Sequence, residues 1–224
     1  MLSSSSSPAS DSSPAPRWEP TPRWERRYRE ALGAAATAFA EKGYLGASTK
    51  DIADRLGIRQ GSLYYYFPSK EAALAAICEL GVKDFIGNLR GILAQPIPSA
   101  EKLRAAIANH LSPLRTHPEA DYIRVFIRHR HELPAGARQT VAALARDYQG
   151  LIEQLFVEGI ATGQFRTGLN PQLATLALLG LCNSVISARA LPRSSSIDEI
   201  IGEYADIIIG GVISGTGEPA KRPE

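Results

Sequence analysis

The sequence predicts an all-α protein in which a three-helix N-terminal unit precedes a larger helical domain. Three observations carry that expectation. Apolar residues recur at spacings of three and four through successive segments, the period of a helix that buries one face. Two short segments meet at Gly57 in a corner rather than a continuation. The chain has 224 residues, 44% of them hydrophobic, enough for a sizeable core and one or two domains.

Residues 1–20 are rich in Ser, Pro and Ala, cannot bury a core, and are expected to be disordered. Thr21 before Pro22 is a helix start, with a hydroxyl as cap and a ring already set to helical φ. From Trp24 to Lys42, Tyr28, Leu32, Ala35, Ala36 and Phe39 keep helical period, and Gly43 closes the element. Ser48 and Asp51 have capping-box spacing for a second helix, with Ile52, Ala53 and Leu56 on one face. Gly57 suits the left-handed residue at its end, and Ile58 can fold back onto the apolar side. A third, tyrosine-rich helix turns Leu63 and Phe67 inward, begins with Arg59, Gln60, Gly61 and Ser62 on its outer surface, and is stopped by Pro68.

Two helices joined at a tight glycine turn form a helix-turn-helix, whose second helix lies in the DNA major groove with its first residues at the base edges. Gln and Arg carry forked groups suited to adenine and guanine, and tyrosine hydroxyls and Lys70 suit phosphate oxygens. Charge is distributed accordingly. From Arg17 to Lys70 there are ten Lys/Arg against six Asp/Glu, although the whole chain carries only +2. Positive charge thus gathers beside the corner, where counterion release strengthens DNA binding.

The run from Arg27 to about Leu80, containing FAEKGYLGASTKDIADRLGI and GSLYYYFPSKEAAL, resembles the DNA-binding domain of the TetR (AcrR-type) family of one-component transcriptional regulators. The resemblance implies that Thr49 and Lys50 open the first motif helix against the DNA. It implies that Gln60, Gly61 and Ser62 face base edges, and that Tyr64, Tyr65 and Lys70 meet phosphates. Arg59 stands where the family usually has a small capping residue, so a weaker cap is expected and Arg59 joins the candidate contacts. On this reading residues 21–69 are the DNA-binding domain, 70–216 an effector-binding and dimerisation domain, and 217–224 a flexible C-terminus.

Ser69 is the expected cap of a fourth helix that leaves the DNA-binding unit directly and runs towards Ile92. Ser99 is the expected cap of a fifth, with Leu103, Ile107, Leu111 and Leu114 on one face and His110 among them. A sixth spans about Glu119 to His131, with Arg124, Arg128 and His131 largely opposite its apolar side and Arg130 towards it. A seventh runs from about Ala137 to Thr162. The last two, Pro171 to about Ala188 and Ile197 to about Ser214, are apolar around most of their circumference, and a helix greasy on both sides must be buried on both. A second copy of the chain is the simplest cover, giving a homodimer through a four-helix bundle. Two recognition helices related by a twofold axis would then read a palindrome.

The stretch from Tyr122 to Arg166, together with LNPQLATLALLG, is similar to TetR-like regulators of lipid or steroid catabolism that sense acyl-CoA thioesters. The resemblance implies a repressor of palindromic operator DNA, released by a small hydrophobic effector, an acyl-CoA thioester in that branch. The residues themselves suggest an apolar chamber between the fifth and eighth helices, with His110, Leu114, Phe126, Arg130, Tyr148, Leu151 and Cys182 as candidate ligand contacts. Arg124 and Arg128 are the candidates to meet phosphates. The plainer reading of these groups is a satisfied core histidine and arginines paired with Glu119, Asp121 or Glu132.

Cys78 and Cys182 lie far apart with no CxxC partner, which argues against a disulfide framework or zinc site and suits small core residues in a reducing cytoplasm. The N-terminus lacks a signal-peptide core, and Thr167 to Ala188 has an apolar centre too short to span a bilayer, so a cytoplasmic protein without membrane contact is expected. No GxSxG elbow, phosphate loop or HExxH occurs, and His129 and His131 are expected on different sides of a helix; neither metal, cofactor nor catalysis is expected. A second reading stays open: a helical enzyme or ligand carrier acting on a hydrophobic thioester without binding DNA.

Overall fold

The computed structural model of the protein describes residues 21–116, 118–187 and 195–213. The expectations for residues 1–20 and 217–224 lie outside them. Nine α-helices are present among the described residues: α1 (Pro22–Gly46), α2 (Thr49–Leu56), α3 (Gln60–Leu63), α4 (Lys70–Leu93), α5 (Ser99–Leu111), α6 (Glu119–His129), α7 (Ala135–Ala161), α8 (Pro171–Ser187) and α9 (Ile197–Val212). One isolated antiparallel bridge, Phe165 to Ile213, is the sole strand-like pairing there. None of these helices is long and apolar enough to cross a membrane.

The helix ends follow the sequence signals, with three exceptions. Thr21 Oγ1 accepts from the Trp24 amide, and Ser48 and Asp51 complete both halves of the capping box. Gly57 has φ 66°, and the Ile58 amide donates back to the Ala53 carbonyl at 3.1 Å, closing the turn as the glycine requires. Gly43 also has positive φ, 72°, so α1 is kinked there and ends in a short separate turn. The first exception is α3. It was expected to carry the tyrosines, but its regular part stops at Leu63 and Tyr64 to Tyr66 continue as looser turns, with Tyr66 and Phe67 both donating to the Leu63 carbonyl. Arg59 supplies no side-chain cap, which leaves the amino end unsecured.

The second exception is Ser99, which is not the cap of α5. Pro98 takes that place, while the Ser99 amide donates to Gln164 Oε1 at 2.7 Å and its own hydroxyl is buried without a partner among the described residues. The third is α6, which ends at His129 and tightens into a 3-10 turn from Arg130 to Glu132.

Two apolar clusters hold the fold. The first gathers Leu32 and Phe39 of α1, Ile52 of α2, Leu63 and Phe67 around α3, and Leu74 and Ile77 of α4, with Val125 of α6 and Val141 of α7 behind them. The second gathers Leu103 and Ile107 of α5, Ile152 and Phe156 of α7, Leu178 of α8 and Ala205 of α9. Helix α4 belongs to both, since Val82, Ile86 and Leu89 of its second half lie in the second cluster. At 1.5 Å per residue its 24 residues span about 36 Å. A rotation or shift of α4 therefore moves both clusters together, because densely packed side chains transmit displacement.

Candidate DNA-facing and effector sites

Most of the helix-turn-helix residues expected to face DNA are exposed. Lys50, Arg59, Gln60, Gly61 and Ser62 are exposed, as are Tyr64 and Tyr65, while Leu63 and Phe67 on the other face are buried. Thr49 is half-buried and accepts a hydrogen bond from Gln60 Nε2 at 2.8 Å, so the two motif helices are tied at their outer ends. Lys50 pairs with Asp54 one turn on, an exposed pair of little worth to stability and easily exchanged for a phosphate.

Lys70 is placed differently from its sequence reading. Its ammonium donates to the carbonyls of Tyr44 and Ala47 and lies over the Tyr44 ring, closing the end of α1 rather than pointing free into solvent. Tyr44 in turn donates to Glu71 Oε1, and burial together with that carboxylate pushes its phenol up to about 12. The contact fixes α1 to the start of α4.

A cavity of about 750 Å³ lies among α4, α6, α7 and α8, within the range of small-molecule sites. Gly81, Val82 and Phe85 of α4 form one side. Of the residues anticipated, His110, Phe126, Arg130 and Tyr148 line it. Leu114, Leu151 and Cys182 do not. On α8 the wall is formed by Leu176, Leu179, Asn183 and Ile186, at steps of three and four, so Cys182 is turned away and packs in the second cluster with Leu178. Leu151 packs against that same cluster, as does Leu114 in the 3-10 turn after α5.

The polar groups of the cavity form two sets. At the inner wall Tyr148 and Asn183 flank His110, with Tyr148 Oη 3.0 Å from Nδ1 and Asn183 Oδ1 3.2 Å from Nε2. Burial holds the His110 pKa below its ordinary value, so the ring is neutral near pH 7, and burial likewise raises that of Tyr148. At the rim stand Arg130, Arg138 and Arg146, all exposed, with no ion pair to a carboxylate among the described residues. The Arg130 guanidinium lies 5.1 Å from the Phe126 ring centre. Arg124 and Arg128 were expected to serve phosphates, but neither lines the cavity, and Arg124 is held by Asp121 at 3.2 Å. Sequence reasoning missed Arg138 and Arg146, whose position opposite α6 depends on how α7 packs.

His129 and His131 were expected to diverge. Both reach Glu132 Oε1, at 3.0 and 3.6 Å, because the 3-10 turn winds more tightly than an α-helix. No group of three or more potential metal ligands occurs among the described residues.

Comparison with known proteins places this geometry. Residues 31–77 match the model of bacterial regulatory proteins of the tetR family, and residues 96–212 match the tetracyclin repressor-like C-terminal domain. The chain is 28% identical over 189 residues to the HTH-type transcriptional repressor KstR2 of Rhodococcus jostii, covering 84% of this chain and 92% of that one. It is 26% identical over 189 residues to the fatty acid metabolism regulator protein of Bacillus subtilis, covering 83% and 95%. Its fold matches the crystal structure of the regulator FadR from Bacillus subtilis in complex with stearoyl-CoA at a TM-score of 0.69, with 22% identity, covering 82% of this chain and 98% of that one. The first relative is a transcriptional repressor and the second a metabolism regulator by name, and the family models are of regulatory proteins, which sets aside the reading of the chain as a helical enzyme. With a family model spanning more than half its length and a second covering the helix-turn-helix, the chain belongs to the TetR family of bacterial transcriptional regulators.

Proposed function

We propose that this chain is a dimeric repressor that binds palindromic operator DNA and is released by an acyl-CoA thioester. The observation that carries the effector half is the cavity itself: an apolar interior suited to an acyl chain, bordered by Arg130, Arg138 and Arg146, which no carboxylate neutralises among the described residues. Three uncompensated guanidiniums at the mouth of an apolar chamber suit a ligand with a greasy tail and a phosphate-bearing head. The names of two relatives, a repressor and a fatty acid metabolism regulator, point the same way, as does stearoyl-CoA in a protein of this fold.

The DNA half rests on Thr49, Lys50, Arg59, Gln60, Gly61, Ser62, Tyr64 and Tyr65, with Lys70 in a bracing role. Dimerisation uses α8 and α9, where Leu173 is 64% and Ile207 60% exposed in the single chain. Such outward apolar side chains on the last two helices fit burial against a second copy. Effector entry would displace Gly81, Val82 and Phe85 and so turn α4, whose first residue braces α1. The spacing of the two recognition helices would then leave the separation of about 34–36 Å that one turn of DNA requires.

A gel shift with the DNA upstream of the protein's own gene, at two salt concentrations, tests the reading. Retention of that DNA, its release by acyl-CoAs of eight to eighteen carbons, and loss of release in an Arg130→Ala, Arg138→Ala, Arg146→Ala variant are expected. Release by none of the thioesters would sink the effector assignment while leaving the operator assignment standing.

A further inference from the structure

Helix α8 lines the cavity with apolar residues and one break, Asn183. Its Oδ1 faces His110 Nε2 at 3.2 Å, and its amide nitrogen has no hydrogen-bond partner among the described residues. A neutral imidazole has one N–H, and Asn183 Oδ1 can only accept, so that proton sits on Nε2. Nδ1 must then accept from the Tyr148 hydroxyl at 3.0 Å. The chain of donation runs from Tyr148 to His110 to Asn183 and leaves both amide protons of Asn183 without a protein acceptor. Turning the amide over reverses the chain, with Nδ1 donating to Tyr148, whose hydroxyl also has Asn109 beside it, and Asn183 donating to Nε2 with one amide proton while keeping the other. Either way the cluster ends in a donor at the cavity wall.

We propose that the effector carries an uncharged oxygen acceptor, a ketone or hydroxyl, on the part that enters the chamber, and that Asn183 donates to it. The inference deepens the acyl-thioester reading by naming the class of acyl group. A saturated chain would strip water from the donor and return nothing, whereas an oxygenated one replaces the lost hydrogen bond. A carboxylate is disfavoured, since only neutral groups await it and burying a charge without a counter-ion is costly. The wall leaves room for bulk beside the donor, because a Cβ on Gly180, one turn before Asn183, would meet nothing within 4 Å. The cluster behind the donor is also remote from part of the rim: Tyr148 lies ten residues along α7 from Arg138, about 15 Å of helix rise. Head and acceptor can thus be held at once.

Calorimetric titration of the full-length protein decides the matter. The probes are decanoyl-CoA and a matched series of oxo- and hydroxydecanoyl-CoAs with the oxygen at successive carbons, each also presented as its methyl ester. At least one oxygenated probe is expected to bind about tenfold or more tighter than the saturated one of the same length. Asn183→Leu is expected to abolish that preference while keeping or improving affinity for decanoyl-CoA. Equal affinity across the wild-type series overturns the inference and leaves the thioester reading intact. Binding of esters but of no thioester overturns the thioester reading, and the ester series then tests Asn183 by itself. A preference that survives Asn183→Leu unchanged overturns the role given to Asn183. Should that variant fail to fold, the wild-type comparison remains decisive.

Discussion

Lys70 braces Tyr44: its ammonium donates to the Tyr44 carbonyl at 2.9 Å and stands 4.5 Å from the centre of the same residue's ring. A second bond, 3.1 Å to the Ala47 carbonyl, uses another of its three protons. A phosphate can claim only the third. Lys70→Ala should therefore lose about 2 kcal/mol, lowering the melting temperature by roughly 4–8 °C. Its operator binding should weaken with little change in salt slope. A full unit change in slope at unaltered melting temperature would instead make Lys70 a phosphate contact.

Gln60 and Thr49 share a 2.8 Å hydrogen bond across the two motif helices. Their alanine variants should be non-additive in operator affinity, with a coupling of about 0.5–1.5 kcal/mol in a double-mutant cycle. Gln60→Ala should also relax base preference at one position of a site selected from random DNA. An unchanged consensus would contradict the placement of α3.

His110 makes stability pH-dependent. Burial depresses its folded pKa, so the unfolded chain binds the proton more readily. Stability contributed by the neutral ring is present above the ordinary histidine pKa of about 6.5 and declines as pH falls below it. His110→Gln should flatten the melting-temperature profile between pH 7 and 5.5 relative to the parent chain, measured by calorimetry. Identical slopes in the two proteins would mean that the ring is not buried neutral.

Leu173 and Ile207 face outward on α8 and α9. Leu173→Glu combined with Ile207→Glu should give a monomer by sedimentation velocity and reduce operator affinity by at least about tenfold, since one recognition helix reads half a site. A dimer that persists would place the interface elsewhere.

Cys78 and Cys182 are buried, and burial raises both thiols to about 12. A thiol reagent at pH 8 should leave the native protein almost untouched and titrate two thiols in denaturant. Rapid native labelling would show that the core around either residue opens readily.

Ser48, Asp51, Gly57 and Ile58 made the helix-turn-helix legible without coordinates, because caps and glycine turns are decided within a few residues of chain. The helical periods were legible for the same reason, and with them the all-α class, while the family was legible from the resemblance of the block that ends in YYYFPSK. Where α3 loses regularity was not, since the tyrosines are as compatible with helix as with the turns they form. Nor was the membership of the cavity. Cys182 and Asn183 are neighbours in sequence, yet one is sealed in the core and the other faces the chamber, because a single step rotates a side chain by about 100° around a helix axis. Arg138 and Arg146 share a cavity with Arg130 only because α6 and α7 both pack on α4 and α8. Local chain chemistry determined the elements and their ends; only packing between helices distant in sequence decided which faces meet, and hence what the chamber can hold.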